Sequence, residues 1–313
     1  FCDPGSFGEF GGLAVAEGTG DRAPADGVLT GTARLDGRPV LLIVQDFSVF
    51  GGSVGHVGSA KMLRAIQLAI LHGNPLVMLL DGGGHRIQDG QNSRDYARGG
   101  PAFQEIARLS GYAPIVVGVL GPGFAANTNF AGMADFVVMR RGVATMGLAG
   151  PALVEAGTGE AVTAEALGGA RVQVDQQGLA DLGADTEEEV FAALRGFLSY
   201  LPGNATQPPP VGPASAADDD PRRAEALLGM VLANTRRTYD VRLVVRTIAD
   251  LDSVFEIKPT FARNIVTAFA RVDGRSVGFL ANQPLHAGGM LDADACEKAA
   301  HFTALCDAFG LPL

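Results

Sequence analysis

Arg34-Leu35-Asp36-Gly37-Arg38-Pro39-Val40 returns later in the chain as Arg271-Val272-Asp273-Gly274-Arg275-Ser276-Val277. The spacing is 271 − 34 = 237 residues. With no gap, the same spacing carries Gly51-Gly52 onto Gly288-Gly289, Lys61 onto Lys298 and Leu68 onto Leu305. It also carries Gly73 onto Gly310 and Pro75-Leu76 onto Pro312-Leu313. One shared Asp-Gly means little, because Asp-Gly is a common hairpin turn. A gapless register with matched turns and a matched helix end indicates an internal duplication.

Each copy reads the same way. An Asp-Gly hairpin feeds an apolar strand, Val40–Val44 in the first copy and Val277–Ala281 in the second. A Gly-Gly loop follows, then a helix. In the first copy Met62, Leu63, Ile66, Leu68, Ala69, Ile70 and Leu71 form its apolar face, and Gly73-Asn74-Pro75 closes it. The second copy has Ala299, Phe302, Leu305 and Cys306, with a stop near Gly310. A buried strand comes next, Leu76–Leu80, and the second copy stops at Leu313 just as this strand begins. Beyond it, Phe103–Leu109 reads as a helix, Ile115–Leu120 and Phe136–Met139 as strands, and Glu187–Leu201 as an amphipathic helix. Alternating strands and helices define an α/β protein. Leu201–Asp220, with Pro202, Pro208–Pro210, Pro213 and Asp218–Asp220, reads as an extended solvated linker. The expected organisation is a complete first domain over residues 1–201, a linker over 202–221, and the truncated start of a second domain over 222–313. The Phe1 start reads as a missing N-terminal segment.

Composition narrows the function. There are 34 Asp+Glu against 24 Lys+Arg, a net charge of −10. That argues against a sequence-independent grip on nucleic acid, which needs a basic face. No apolar run reaches the ~20 residues of a membrane span, and no signal peptide opens the chain. The expectation is a soluble, cytoplasmic protein without nucleic-acid or membrane partners. Cys2, Cys296 and Cys306 are too few and too scattered for a disulfide framework. No Cys-x-x-Cys or His-x₃-His spacing points to a metal site. Glycine is the unusual residue: 43 in 313, about twice the usual frequency. Glycines at this density mark turns and close backbone approaches, so function is expected from main-chain amides.

Two loops follow buried strands: Asp81-Gly82-Gly83-Gly84-His85-Arg86-Ile87-Gln88-Asp89-Gly90, and Gly121-Pro122-Gly123-Phe124-Ala125-Ala126-Asn127. Ligands of open α/β sheets bind at the carboxyl ends of strands. Such loops serve either as tight turns or as oxyanion-binding pairs of N–H groups. Neither is a P-loop, and neither carries a dinucleotide fingerprint. No Gly-x-Ser-x-Gly elbow supplies a nucleophile, and Ser48, Ser53, Ser59, Ser93 and Ser110 have no evident histidine partner. His85 reads either as an exposed loop residue or as a titratable group beside a reacting centre. Arg86, Arg94 and Arg98 read either as a solvated face or as phosphate contacts, and Tyr96 as packing or as a stacking platform. Glu105 and Asp135 read as helix surface and strand-end cap.

Further stretches complete the pattern: Asp3–Phe7, Gln45–Ser53, Leu148–Pro151, Thr158–Glu160, Leu167–Ala170, Ser199–Pro202, Tyr239–Arg242, Phe261–Val266, Ala281–Pro284 and Glu297–Phe302. With the first of these loops, Asp81–Gly90, and in this order, they resemble the carboxyltransferase (β) subunits of biotin-dependent acyl-CoA carboxylases, the propionyl-, methylcrotonyl- and acetyl-CoA carboxylase type. The resemblance covers nearly the whole chain.

The resemblance implies a duplicated crotonase-like ββα superhelix and two active-site oxyanion holes. One would hold a thioester enolate and the other the ureido oxygen of biotin. It implies acyl-CoA bound by the first domain of one subunit. Biotin, carried by a biotin carboxylase/biotin carboxyl carrier partner, would enter against the second domain of another subunit in a β₆ core. It places first-domain donors at Gly83, Gly84, Ala125 and Ala126, and CoA contacts at His85, Arg86, Ile87 and Gln88, with no metal. Sites shared between subunits imply that this chain alone cannot turn over. The biotin-side loops of the second copy would follow Leu313, so no biotin-side residue is assigned.

Several positions depart from the family pattern. The first loop usually reads Asp-Ser-Gly-Gly-Ala-Arg-Ile-Gln-Glu-Gly, and here Gly82 replaces Ser and His85 replaces Ala. The second usually reads Gly-Pro-Cys-Ala-Gly-Gly-Ala, against Gly121–Asn127 here. Cβ atoms on Ala125 and Ala126 narrow the approach and disfavour positive φ. Leu148–Pro151 looks closer to the methylcrotonyl type. Three alternatives to carboxyl transfer stand: the decarboxylase subunit of a biotin-dependent sodium pump, an acyl-CoA-binding homologue without transfer activity, and a crotonase-type hydratase. The last would need a carboxylate pair beside the loops, for which Glu105 is the nearby candidate.

Overall fold

Leu76–Leu80 and Ile115–Val119 are short apolar runs rich in branched residues, as strands buried on both faces must be. The computed structural model describes residues 1–16, 23–87, 100–212, 222–230, 234 and 237–313. In it both runs are central strands of an eight-stranded sheet. The strands are β1 (Gly8–Glu9), β2 (Val28–Leu35), β3 (Arg38–Gln45), β4 (Leu76–Gly82), β5 (Ile115–Phe124), β6 (Phe136–Arg140), β7 (Thr145–Gly147) and β8 (Leu182–Ala184). Their order is β1-β2-β3-β4-β5-β6-β8, with β7 paired to the end of β5. β1, β2 and β3 pair antiparallel, and β3 through β8 run parallel.

The helix His56–His72 ends where the sequence places its stop, with Gly73 left-handed at φ 61°. That conformation is natural for glycine and lets its N–H cap the last carbonyls. Met62, Ala65 and Ile66 from this helix join Ile106 and Leu109 of the helix Gly100–Leu109 in one cluster with Leu41, Met78 and Val117. Burying each large side chain contributes roughly 1.5–3 kcal/mol. Val190 and Leu194 of the helix Glu187–Tyr200 cover Gly118, where a Cβ would lie 2.9 Å from Val190.

By its contacts the chain divides into Phe1–Arg195 and Gly196–Leu313. The second unit holds an antiparallel sheet of β9 (Phe255–Ile257), β10 (Ile265–Val272) and β11 (Arg275–Asn282), in the order β11-β10-β9. The helix Ala293–Ala308 completes a ββα unit, with Phe302 against Phe269 at a ring distance of 5.4 Å. The expected linker is not wholly free. Gly212 donates to Gly274 O at 2.7 Å, and Val211 bridges Arg275. Residues 213–220 lie outside the described set.

The duplication holds atom by atom. Leu41 N–H donates to Pro75 O at 2.9 Å, and 237 residues later Gly278 N–H donates to Pro312 O at 2.8 Å. Positive φ recurs at the same offset in Ala25 and Ala262, Asp36 and Asp273, and Phe50 and Ala287. The Asp3 carboxylate accepts the Asp36 and Gly37 N–H groups of the first hairpin, and the Asp250 carboxylate accepts those of Asp273 and Gly274 in the second. Ser6 and Ser253 repeat each other too, each donating to the carbonyl of its own aspartate at 2.7 Å. These partners are 250 − 3 = 247 apart, so a gapless comparison misses them: the first copy carries ten extra residues before β2.

Lys61 and Lys298 explain why a lysine repeats on a core-facing helix position. Both are buried, at 7% and 2% exposure. Lys61 Nζ donates to Ala25 O, at 2.9 Å, and to Val28 O. Lys298 Nζ donates to Phe261 O and Ile265 O, both at 2.9 Å, and to Ala262 O at 3.4 Å. Each ammonium ties its helix to the left-handed turn entering the hairpin. Burial lowers both lysine pKa values, that of Lys298 to about 8. Lys61→Met or Lys298→Met leaves buried carbonyls without donors. Each is expected to lower unfolding free energy by about 2–4 kcal/mol in urea titration; a loss below roughly 0.5 kcal/mol, the scale of a surface substitution, contradicts the tie.

Candidate active site

The carboxyl ends of β3, β4 and β5 converge. β4 continues to Gly82, so the first glycine loop starts at Gly83. Gly121–Phe124, expected as loop, is strand: Pro122, Gly123 and Phe124 pair with Thr145, Met146 and Gly147 of β7. The turn is therefore confined to Ala125, at φ 55° and ψ −120°, and the helix Ala126–Gly132 starts at once. Thr128 locks this elbow. Its Oγ1 donates to Gly123 O at 2.5 Å and accepts from Gly147 N–H at 2.8 Å.

Gly52 and Gly82 let the β3 and β4 loops touch. A Cβ on Gly52 would stand 2.0 Å from Asp81 O, and one on Gly82 would stand 2.1 Å from Gly52 O. The first loop then zips onto residues 51–54. Gly83 N–H donates to Gly51 O at 3.3 Å, Val54 N–H to Gly84 O at 2.7 Å, and Arg86 N–H to Val54 O at 2.9 Å.

The structure brings Gly83, Gly84, Ala125 and Ala126 together but divides them by state. The Gly83 N–H is directed to Gly51 O, and Ala125 N–H to Gly147 O at 2.9 Å. Among the described residues the N–H groups of Gly84 and Ala126 have no hydrogen-bond partner. They are adjacent: a Cβ built on Gly84 would lie 3.8 Å from Ala126 N. Ala126 is the first residue of its helix, where N–H groups have no intrahelical acceptor and the dipole favours negative charge. Below them is a cavity of about 60 Å³, bordered by Val54, Met62, Ala102, Phe103 and Phe130. Phe103 and Phe130 stack at 4.7 Å. No carboxylate borders it among the described residues. Glu105 instead pairs with Arg108 at 3.0 Å, so among the described residues no carboxylate is placed for the hydratase reading.

Of the expected CoA contacts, His85 borders the cavity and bridges Val54, and Ile87 is 77% exposed. Arg86 departs from both readings, solvated loop or phosphate contact. Its guanidinium is buried against Asp26 at 2.5 Å, donates to Ser53 O at 3.0 Å and lies over the Phe50 ring at 4.9 Å. The other Asp26 oxygen accepts Gly58 N–H at 2.7 Å, so this pair fastens the site loop to the start of the helix His56–His72. Gln88, Ser93, Arg94, Tyr96 and Arg98 lie outside the described residues. Gln45 and Asn127, both inside stretches the sequence singles out, are central to the geometry, but nothing in the sequence marks them as a pair, because a buried amide reads like a surface one. The perturbed carboxyls lie away from the cavity. Asp81 is raised by burial and by Glu187, with Arg140 opposing. Asp135 caps Ile115 N–H at the far end of β5, and burial raises it to about 7.

A left-handed alanine is strained. Ala125→Gly is expected to stabilise the protein by about 1 kcal/mol, after the entropy glycine gains on unfolding is subtracted. Calorimetry should show Tm rising by ~2–4 °C; an unchanged or lower Tm means the elbow carries no strain.

The carboxyl transferase domain family model matches residues 1–313. The chain is 40% identical over 294 residues to the putative propionyl-CoA carboxylase beta chain of Bacillus subtilis (strain 168), covering 93% of this chain and 56% of that protein. It is 37% identical over 290 residues to the methylmalonyl-CoA decarboxylase subunit alpha of Veillonella parvula, with the same coverage of 93% and 56%. Its fold matches a solved transcarboxylase 12S hexamer with hydrolysed methylmalonyl-coenzyme A bound, at a TM-score of 0.92 and 36% identity. That match covers 100% of this chain and 62% of the other. The chain thus spans little more than half the length of these relatives. With its duplicated ββα units and parallel sheet, its fold is the crotonase-like α/β architecture. The match over every residue shows that the chain belongs to the carboxyl transferase domain family.

Proposed function

We propose that this chain carries the acyl-CoA half of a biotin-dependent carboxyltransferase. One observation carries the reading: the N–H groups of Gly84 and Ala126 stand side by side over an apolar cavity, with no carboxylate around it among the described residues. Carboxybiotin, brought by a biotin carboxylase/carrier partner, would supply the carboxyl group and take up the acyl α-proton. The chain's own residues then hold the thioester. Gly84 and Ala126 donate to its oxygen, and their bonds strengthen as the α-proton leaves and negative charge collects there. The enolate carbon attacks CO₂, a C–C bond forms, and the charge leaves the oxygen. An enzyme that stabilises charge this way needs no side-chain base of its own. His85 and Ile87, at the rim, are proposed CoA contacts. Arg86 enters as the clamp that holds the loop. No described residue is assigned to biotin.

The small aromatic-walled cavity suits a short acyl chain, and the relatives' names turn on propionyl- and methylmalonyl-CoA. We therefore propose that substrate class in preference to the methylcrotonyl type. The Veillonella relative favours the same half-reaction run toward decarboxylation as the second reading. The hexamer of the transcarboxylase neighbour supports a homo-oligomeric assembly.

The test supplies malonyl-, methylmalonyl- and methylglutaconyl-CoA with free biotin to the full-length protein and follows biotin-dependent decarboxylation. Turnover of methylmalonyl-CoA above the others is expected. Tight CoA-thioester binding with no turnover across the panel contradicts transfer and leaves an acyl-CoA-binding homologue.

A further inference from the structure

A site built from main chain is only as accurate as whatever holds its two loops in place. The ladder between β4 and β5 is irregular here, with its register slipping between Leu80 and Gly82. Two buried side-chain amides bridge the irregular region. Gln45, at the end of β3, is 5% exposed, and Asn127, the second residue of the helix Ala126–Gly132, is 1% exposed. They pair reciprocally. Gln45 Nε2 donates to Asn127 Oδ1 at 2.8 Å, and Asn127 Nδ2 donates to Gln45 Oε1 at 2.8 Å. Each also grips the first loop: Asp81 N–H donates to Gln45 Oε1 at 3.0 Å, and Asn127 Nδ2 donates to Gly82 O at 2.9 Å. The backbone partners fix both amide orientations, since Asp81 N–H needs an acceptor and Gly82 O needs a donor.

We infer that Gln45 and Asn127 are positioning residues that set the spacing between the Gly84 and Ala126 N–H groups. This rests on the proposed role of those groups as oxyanion donors. Asn127 borders the cavity, but both atoms of its amide are already engaged, by Gln45 and by Gly82 O. Gly82 O shares a rigid peptide plane with Gly83 N, so gripping that oxygen orients the chain entering Gly84. Asn127 follows Ala126 directly, so the same side chain ties the second donor to the first. The pair joins the ends of three strands through one hydrogen-bonded unit. Its members should act together and not additively.

Asn127→Leu and Gln45→Met keep approximate volume and remove the amides. In the full-length protein, with methylmalonyl-CoA and free biotin, each is expected to lower kcat by roughly 10–100-fold, the scale of a small misplacement of reacting groups. The Kd of propionyl-CoA, measured by calorimetry, should stay within about threefold, because the donors' bonds to the neutral thioester oxygen are weak and strengthen only as charge collects there. The double variant should be no slower than the slower single one. A kcat for Asn127→Leu within about threefold of wild type overturns the inference. So does a Kd that weakens in parallel with kcat, or single losses that multiply in the double variant. If Asn127→Leu does not fold, Asn127→Ser is put through the same comparison, since its hydroxyl is too short to reach both partners. Wild-type protein that turns over nothing removes the oxyanion reading and this inference with it. Wild-type turnover with an unaffected Asn127 variant removes the inference alone.

Discussion

Gly52 and Gly82 meet main chain to main chain, with no room for a Cβ on either. That contact lets the loop after β3 and the loop after β4 merge into one surface. Once they merge, Gly83 is tied to Gly51, Val54 to Gly84 and Arg86 to Val54, and Gly84 is carried to the elbow at Ala125. A side chain at either glycine would push the loops apart by more than a hydrogen bond can stretch. The buried Arg86–Asp26 pair then fixes the far end of the loop. Breaking one partner of such a pair strands a charge in the interior and costs about 3–5 kcal/mol.

The duplication has a physical reason as well as a sequence signature. Each copy must turn its chain sharply before its hairpin, with an alanine at positive φ, 52° at Ala25 and 42° at Ala262. Such a turn leaves carbonyls pointing inward. A lysine from the following helix satisfies them, and its burial is tolerated because several oxygens surround the ammonium. The repeat of Lys61 and Lys298 is thus a repeat of one local problem and its solution. The Asp-x-x-Ser cradle under each hairpin is a second example.

Much of the fold is legible in the sequence because it follows from hydrophobic period and turn chemistry. The Asp36-Gly37 hairpin, the Gly73 stop and the Leu76–Leu80 strand all fall where local rules put them. What escapes depends on partners far away in the chain. Gly121–Phe124 looks like a loop by its glycines and proline, yet it pairs with β7, which begins at Thr145. Arg86 looks like a solvated cation until Asp26 is placed beside it. Gln45 and Asn127 meet across 82 residues of chain. Of the four donors expected for the site, the sequence cannot tell which N–H groups the main chain uses internally; Gly51 O and Gly147 O take two of them.

The proposed chemistry resides in two peptide N–H groups, which ordinary side-chain substitutions do not remove. Ala126 offers a route, because it is the first residue of its helix and proline is tolerated there. Proline deletes the N–H, and a glycine at 125 relieves the crowding that proline imposes on the preceding residue. The decisive comparison is biotin-dependent decarboxylation of methylmalonyl-CoA by the full-length Ala125→Gly protein against Ala125→Gly/Ala126→Pro. Loss of one oxyanion donor predicts a fall in kcat of roughly 10²–10³-fold, with CoA-thioester affinity retained. Equal kcat in the two proteins would contradict a main-chain oxyanion site at Ala126.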